Sequence, residues 1–104
     1  MIQLRISSYS TTQIVEIAEL LLKDHLAIDV NITRDVERLT LEGNELKRET
    51  KTLLTAKTKA LLFPHIDRLL RELYPQNLPE IYSLAIVQMD WDQANKLRKD
   101  VIKT

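Results

Sequence analysis

Several residue types are missing or scarce in this sequence, and each absence excludes a class of protein. The 104 residues include no cysteine, so neither a disulfide framework nor a thiolate metal site is available. Glycine occurs once, at Gly43, and one glycine cannot form a Gly-rich loop around a phosphate group. The hydrolase motifs GxSxG and HExxH are also absent. We therefore expect a protein that is not an enzyme.

Charge and hydropathy exclude further partners. Basic and acidic side chains both number 15, so the formal net charge is 0 and does not favour nucleic acid or an anionic membrane as a partner. No apolar run approaches the roughly 20 residues that span a bilayer, and the first residues lack a signal-peptide pattern. We expect a soluble, cytoplasmic protein that binds neither nucleic acid nor membrane, with residues 1–104 forming a single domain.

Residues 28–56 alternate between apolar and polar side chains and predict one long β-hairpin. Ile28, Val30 and Ile32 take every second position, which is the pattern of a half-buried strand. The chain then reverses at Gly43, because glycine adopts the positive φ of a tight turn without strain.

The first strand of this hairpin is expected to contain a β-bulge. Its apolar positions are even-numbered as far as Val36 and odd-numbered from there to the turn. A side-chain period of two cannot change phase without one extra residue, which we place between residues 33 and 38. The turn then puts Leu41 opposite Leu46. The alternative is a strand that ends near Arg34, followed by a separate short hairpin.

The remaining elements predict an α+β fold. Their order, β-α-β-β-α-β with an extra C-terminal helix, is that of the ferredoxin-like arrangement. Trp91 is expected to pack the last helix onto the sheet. The predicted elements outside the hairpin are a strand from Ile2, a helix capped by Ser10, a helix with Pro64 in its first turn, a strand from Glu80 to Val87 and a helix capped by Asp90.

The hairpin is too long for the domain that carries it. A sheet covered by two helices needs strands of about 5–7 residues, so the far half of the hairpin is expected to overhang by roughly 20 Å. Leu39, Leu41 and Leu46 lie on that overhang, where their own domain offers no cover. Exposed strand edges with leucines favour pairing with another chain. We therefore predict a homo-oligomer held by these three leucines; the alternative is a mobile, charged tip on a monomer.

Motifs along nearly the whole chain resemble the CutA family of divalent-cation-tolerance proteins, which are related in fold to PII signalling proteins. The resemblance implies a homotrimer whose hairpins pair between subunits, with an ion or small ligand bound at the clefts between them. It also implies a role in tolerance of divalent metal ions such as copper. The alternative is a PII-like trimeric signalling or structural scaffold with a degenerate pocket and no metal. The motifs that carry the resemblance are Ile17-Ala18, Leu26-Ala27, Val30-Asn31-Ile32, Glu42-Gly43, Leu53-Leu54, Lys57-Thr58, Pro64 and Tyr74–Glu80.

The candidate site residues also follow from this resemblance. The family often has cysteine at the position of Asp29 and histidine at the position of Tyr74. With both of these replaced, Asp29 is the one candidate metal ligand. Lys57, Glu80, Tyr74 and Tyr82 are the candidate ligand-binding residues. For Lys57 and Glu80 the alternative interpretation is a partly exposed ion pair without function. The residues specify no cofactor of their own; the resemblance implies a divalent metal ion such as copper.

Overall fold

The structure is a computed structural model that describes residues 1–102. Its four strands form one antiparallel sheet in the order β2-β3-β1-β4. This confirms the predicted ferredoxin-like order with a trailing helix. The elements are β1 (Ile2–Ser8), α1 (Thr11–Lys23), β2 (Ile28–Glu42), β3 (Glu45–Thr58), a 3-10 turn (Ala60–Leu62), α2 (Phe63–Leu73), β4 (Glu80–Ala85) and α3 (Trp91–Asp100).

One face of the sheet is covered by α1 and α2, and the core lies between these two layers. In β1 the alternation is regular: Ile2, Leu4 and Ile6 are buried, whereas the residues between them are half-exposed on the other face. The helices contribute the apolar stripes that period 3.6 predicts. The residues that they bury against the sheet include Ile14, Ile17 and Leu21 of α1 and Leu62, Ile66 and Leu70 of the segment around α2.

The hairpin has the predicted register. Leu41 pairs with Leu46, Ile32 pairs with Leu54, and the ladder shifts between Thr33 and Val36, which confirms the bulge. A second shift, between residues 28 and 31, was not expected.

An aspartate with positive φ stands at each of the two bulges. Asp29 has a φ of 51° and Asp35 a φ of 58°. Aspartate reaches this left-handed region more readily than most residues, because its short side chain can form hydrogen bonds locally. Gly43 supplies the corresponding φ of 62° at the turn.

The far half of the hairpin extends beyond the helices. The molecule measures 48 × 29 × 21 Å, and the leucines of the overhang are exposed to 52% at Leu39, 68% at Leu41 and 60% at Leu46. These three side chains lie on the face of the sheet that α1 and α2 cover nearer to β1. Leu46 and Leu54 are an even number of positions apart in β3 and therefore point to the same face, and Leu39 and Leu41 share that face across the ladder. The expectation that their own chain leaves them uncovered is confirmed.

Two expectations near the C-terminal end are wrong. β4 ends at Ala85 rather than at Val87, which is almost fully exposed. Trp91 does not pack α3 onto the sheet: it is the first residue of the helix and is exposed, whereas the residues that α3 buries are Ala94 and Leu97. None of the helices within residues 1–102 is long and apolar enough to cross a membrane.

Candidate functional site

The predicted site residues lie in separate places, and the first of these is one end of the sheet. There the Nζ atom of Lys57 lies 3.5 Å from Oδ2 of Asp29 and donates to Oε1 of Gln93 at 2.6 Å. Lys57 faces Gln3 across the ladder, whereas Glu80 faces Ser7. Gln3 and Ser7 are four positions apart in β1, which corresponds to about 13 Å along the strand. The alternative interpretation, an ion pair between Lys57 and Glu80, is therefore wrong, since Lys57 pairs with Asp29 and Glu80 pairs with Lys51.

Tyr74 belongs to the helical layer. Its hydroxyl donates to Oε2 of Glu16 at 2.9 Å, which joins the end of α2 to α1, and its ring packs against the core. Burial and this carboxylate raise the pKa of Tyr74 to about 12. The hydroxyl is thus held in its protonated, donating form.

A polar cleft of about 460 Å³ lies between the β1–α1 loop, the hairpin and the loop that precedes β4. We call it the Lys51 cleft. Its lining includes one of the predicted site residues, Glu80, and residues at the start of α1. The polar side chains on its walls include Ser7, Ser10, Gln13, Arg38, Lys51 and Glu80.

Lys51 is the most unusual residue of the cleft, because only 9% of this charged residue is exposed. Its Nζ atom lies 3.3 Å from Oγ of Ser7 and 3.3 Å from Oε2 of Glu80. The ammonium group also lies 4.9 Å from the centroid of the Tyr9 ring, within cation–π range. Lysine is rarely buried without partners that replace water, and here one carboxylate, one hydroxyl and one aromatic face fill that role.

Arg38 lies on the same hairpin wall of the cleft as Lys51, in a cluster of charges at the base of the overhang. Its Nη1 atom lies 3.4 Å from both the Tyr9 hydroxyl and Oε2 of Glu49. Tyr9 donates to Glu49, and this hydrogen bond raises the pKa of Tyr9. The same bond, together with Lys47 at 3.0 Å, lowers the pKa of Glu49. These contacts attach the hairpin to the β1–α1 loop.

The floor of the cleft is fixed by Gln13. The Ser10 side chain caps α1 by accepting from the Gln13 backbone N–H at 3.2 Å. The Gln13 side chain accepts from the Ser8 hydroxyl and donates to the carbonyl of Asn77 at 2.7 Å. Because both ends of its amide are engaged, Gln13 holds the start of α1 against the loop that leads into β4.

Tyr82 lies beside the cleft on the open face of the sheet. A shallow depression there is lined by Tyr82 and Arg5 and shares Lys51 and Glu80 with the cleft. The Arg5 guanidinium lies 5.9 Å from the Tyr82 ring centroid. The Nε atom of Arg5 is buried and has no hydrogen-bond partner within residues 1–102. Glu80 and Tyr82 are thus brought together, whereas Lys57, Asp29 and Tyr74 are not part of this surface.

Sequence reasoning missed the residues that dominate the cleft, namely Lys51, Arg38 and Tyr9. One signal was available for Lys51. It is an odd-numbered residue of β3, like the half-exposed residues of that strand, and it lies in the half of the strand that belongs to the sheet covered by helices. A lysine at such a position needs a partner for its charge. No comparable signal marks Tyr9, which meets Glu49 from 40 positions away.

The fit of a divalent metal ion can be tested on this arrangement. Across residues 1–102, no three histidine, aspartate or glutamate side chains lie close enough together to hold an ion. The candidate ligand Asp29 faces an ammonium group instead. The described part of a single chain therefore does not fit a divalent-metal site.

The fold and the cleft define an α+β protein of the ferredoxin-like class with a polar, basic cleft beside a long hairpin. Residues 4–98 match the family model described as CutA1 divalent ion tolerance protein, and the chain belongs to that family. A Thermus thermophilus protein named Divalent-cation tolerance protein CutA is 30% identical over 84 residues, which are 76% of this chain and 82% of the relative.

Solved structures agree with this assignment. The Cut A1 divalent cation tolerance protein of Thermus thermophilus matches with a TM-score of 0.82 and 26% identity, over 97% of this chain and 99% of that chain. CutA1 from Oryza sativa matches with a TM-score of 0.85 and 17% identity, over 99% and 94%. A structure described as the periplasmic divalent cation tolerance protein CutA from Archaeoglobus fulgidus matches with a TM-score of 0.82 and 19% identity, over 98% and 100%. The last two similarities concern the fold alone.

Proposed function

We propose that the protein is a homotrimer that acts in tolerance of, or response to, divalent metal ions such as copper. An ion or small ligand binds at the clefts between its subunits. Membership of the CutA1 divalent ion tolerance family is the observation that carries this function. The proposal includes a single domain over residues 1–104 and a cytoplasmic location, although the Archaeoglobus fulgidus relative is described as periplasmic.

The assembly part of the proposal is supported by surfaces that one chain leaves unpartnered. β2 and β4 are the two outer strands of the sheet, and the overhang exposes Leu39, Leu41 and Leu46. Such edges and leucines favour pairing with another chain. If the hairpin of one subunit meets a different surface of the next, the contacts form a ring when the rotation between neighbouring subunits closes on itself. Three subunits is the number that the family resemblance implies.

The proposed ligand residues divide between two clefts of such an assembly. Glu80 and Tyr82 belong to the surface around Lys51, whereas Lys57 and Asp29 lie at the other end of the sheet. Tyr74 completes the proposed set from the helical layer. Glu80 and Tyr82 of one subunit can share a cleft with Lys57 and Asp29 of another only if the interface joins opposite ends of the two sheets.

A second candidate function is a PII-like trimeric signalling or structural scaffold that binds no metal. One observation favours it: the carboxylate of Asp29 is engaged by Lys57 at 3.5 Å. An ammonium group beside a carboxylate opposes cation binding there, because the metal must displace it.

Two measurements test these proposals. Light scattering is expected to give three times the chain mass of 12.1 kDa, and a monomer mass at working concentration contradicts both candidates. Calorimetric titration of the assembled protein with Cu²⁺ and Zn²⁺ then separates them. Saturating heat supports the metal function, and it is expected to fall in Asp29→Asn but not in the control Asp92→Asn on α3. Absence of heat with both metals contradicts metal binding and favours the scaffold.

A further inference from the structure

The Lys51 cleft collects positive charge in a chain whose formal net charge is 0. Two basic side chains, Arg38 and Lys51, and one acidic side chain, Glu80, line it. The adjoining depression adds one basic residue, Arg5, and one acidic residue, Glu37, and the buried Nε donor of Arg5 has no acceptor within residues 1–102. A buried donor without a partner is uncommon in native proteins and calls for an acceptor.

The contacts of the two cationic groups are long. Charge-assisted N–H···O bonds are usually about 2.7–2.9 Å, whereas Lys51 lies 3.3 Å from Glu80 and Arg38 lies 3.4 Å from Glu49. Only Nη1 of the Arg38 guanidinium takes part in these contacts. The cleft therefore contains donors that its own acceptors satisfy incompletely.

Glu80 is a replaceable partner for Lys51. Its side chain is 57% exposed, while that of Lys51 is 10% exposed. A carboxylate mostly in water compensates a buried ammonium group only partly, and it can turn into solvent at little cost. An anion that enters the cleft can take its place at Nζ.

Arg38 and Lys51 are placed to act together. Val36 pairs with Lys51 and Arg38 pairs with Glu49, so the two basic residues are diagonal neighbours on one face of the hairpin. Diagonal positions lie about 7–8 Å apart, within reach of long side chains. Both groups also contact Tyr9, and the hydroxyls of Ser7 and Ser10 lie on the same walls.

We propose that the Lys51 cleft binds a small oxyanion, a ligand with a phosphate or carboxylate group held between Lys51 and Arg38. A volume of about 460 Å³ falls within the 300–1,000 Å³ of small-molecule sites and leaves room for a small metabolite around that group. This inference goes beyond the proposed function, which places ligand binding between subunits. It does not require the trimer or the metal, because a single chain forms the cleft.

The experiment is calorimetric titration of the full chain at constant ionic strength with inorganic phosphate and with malonate, using sodium chloride as the blank. Saturable binding of at least one oxyanion is expected, and the pair of probes shows whether the phosphate or the carboxylate group is preferred. Lys51→Met and Arg38→Gln are each expected to weaken binding by about tenfold or more, as for loss of a charged hydrogen-bond donor. Glu80→Gln is expected to tighten binding, because it removes the competing charge.

The matched control is Lys23→Met on α1, whose side chain is 77% exposed and outside the cleft; it is expected to bind like the parent. If Lys51→Met fails to fold by circular dichroism, Arg38→Gln decides alone, since its 43% exposed side chain tolerates replacement. Three results overturn the inference: neither oxyanion saturates, the cleft variants bind like the parent, or Glu80→Gln weakens binding. If one of these results is obtained while light scattering still gives the trimer mass and titration with metal ions still gives heat, only this inference fails and the proposed function stands.

Discussion

The two halves of β3 share one strand and one alternation, yet they lie in opposite environments. From Thr52 to Thr58 every second side chain is buried, with Leu54 at 0% exposure. On the same face, eight residues earlier, Leu46 is 60% exposed. The ladder to β2 continues along both halves; what changes is that the helical layer covers only the second. Backbone pairing thus forms the hairpin, but burial within the chain stabilises only its proximal half.

The overhang has little else to stabilise it. Its side-chain contacts include an ion pair between Arg48 and Glu37 at 2.5 Å, in which both side chains are more than half exposed. Pairs of this kind contribute roughly 0–1 kcal/mol, and an isolated two-stranded hairpin is only marginally stable in water. We infer that the overhang depends on contacts outside its own chain, whereas the body does not.

The largest expected effect compares Leu54→Ala with Leu46→Ala. Leu54→Ala leaves a cavity in the core and is expected to lower the free energy of unfolding by about 2–5 kcal/mol. Leu46→Ala removes the same atoms from an exposed site, so within one chain it is expected to change stability by less than about 0.5 kcal/mol. Urea unfolding at two protein concentrations checks this. The change in unfolding free energy caused by Leu46→Ala should depend on protein concentration, whereas the loss caused by Leu54→Ala should be present at both concentrations. If the two variants depend on concentration in the same way, the difference between the two halves of β3 is contradicted.

A smaller effect on the fold, but a direct one on assembly, is expected for Leu41→Lys. The substitution charges a surface that is hidden only when other chains cover it, so the oligomeric state should fall before the domain unfolds. Light scattering and thermal unfolding of the same sample measure the two properties. Thr40→Lys places the same charge on the other face of the strand and is expected to have the weaker effect on mass. An oligomer with unchanged mass and melting temperature in Leu41→Lys contradicts the role of the overhang.

Much of this fold followed from the sequence because its alternation patterns are local. The phase change near Val36 revealed the first bulge, since one face must remain continuous. The second bulge left no such signal: its extra residue, Asp29, lies at the start of β2, where too few residues precede it to define a phase. The burial predicted for Trp91 is wrong because it rested on aromatic character alone, whereas Trp91 is the first residue of α3 and is exposed.

The site was less predictable because its contacts join distant segments. Lys51 meets Glu80 from 29 positions away, and Tyr9 meets Glu49 from 40. No pattern within β3 indicates which loop lies above Lys51. The family resemblance pointed to Glu80 and Tyr82, which do lie at this surface, but it did not point to the buried lysine between them and the hairpin.

The smallest expected effect concerns two tyrosine–glutamate hydrogen bonds, one in each region. Tyr74 bonds Glu16 within the body, and Tyr9 bonds Glu49 at the base of the overhang. The pKa of Tyr74 rises from 10.0 to about 12 in the folded chain. Its protonated hydroxyl therefore stabilises the fold fully below pH 10, and this contribution is lost as the pH rises to about 12.

Tyr74→Phe is accordingly expected to flatten the decline in unfolding free energy between pH 10 and about 12, as measured by urea titration at several pH values. Tyr9→Phe is the matched comparison, because the pKa of Tyr9 is also raised, but by a partner on the hairpin. It should leave most of that decline in place and instead increase hydrogen exchange in residues 36–50. If Tyr9→Phe flattens the pH profile as much as Tyr74→Phe, the hairpin and the body unfold as one unit, and the overhang is less independent than its exposed leucines suggest.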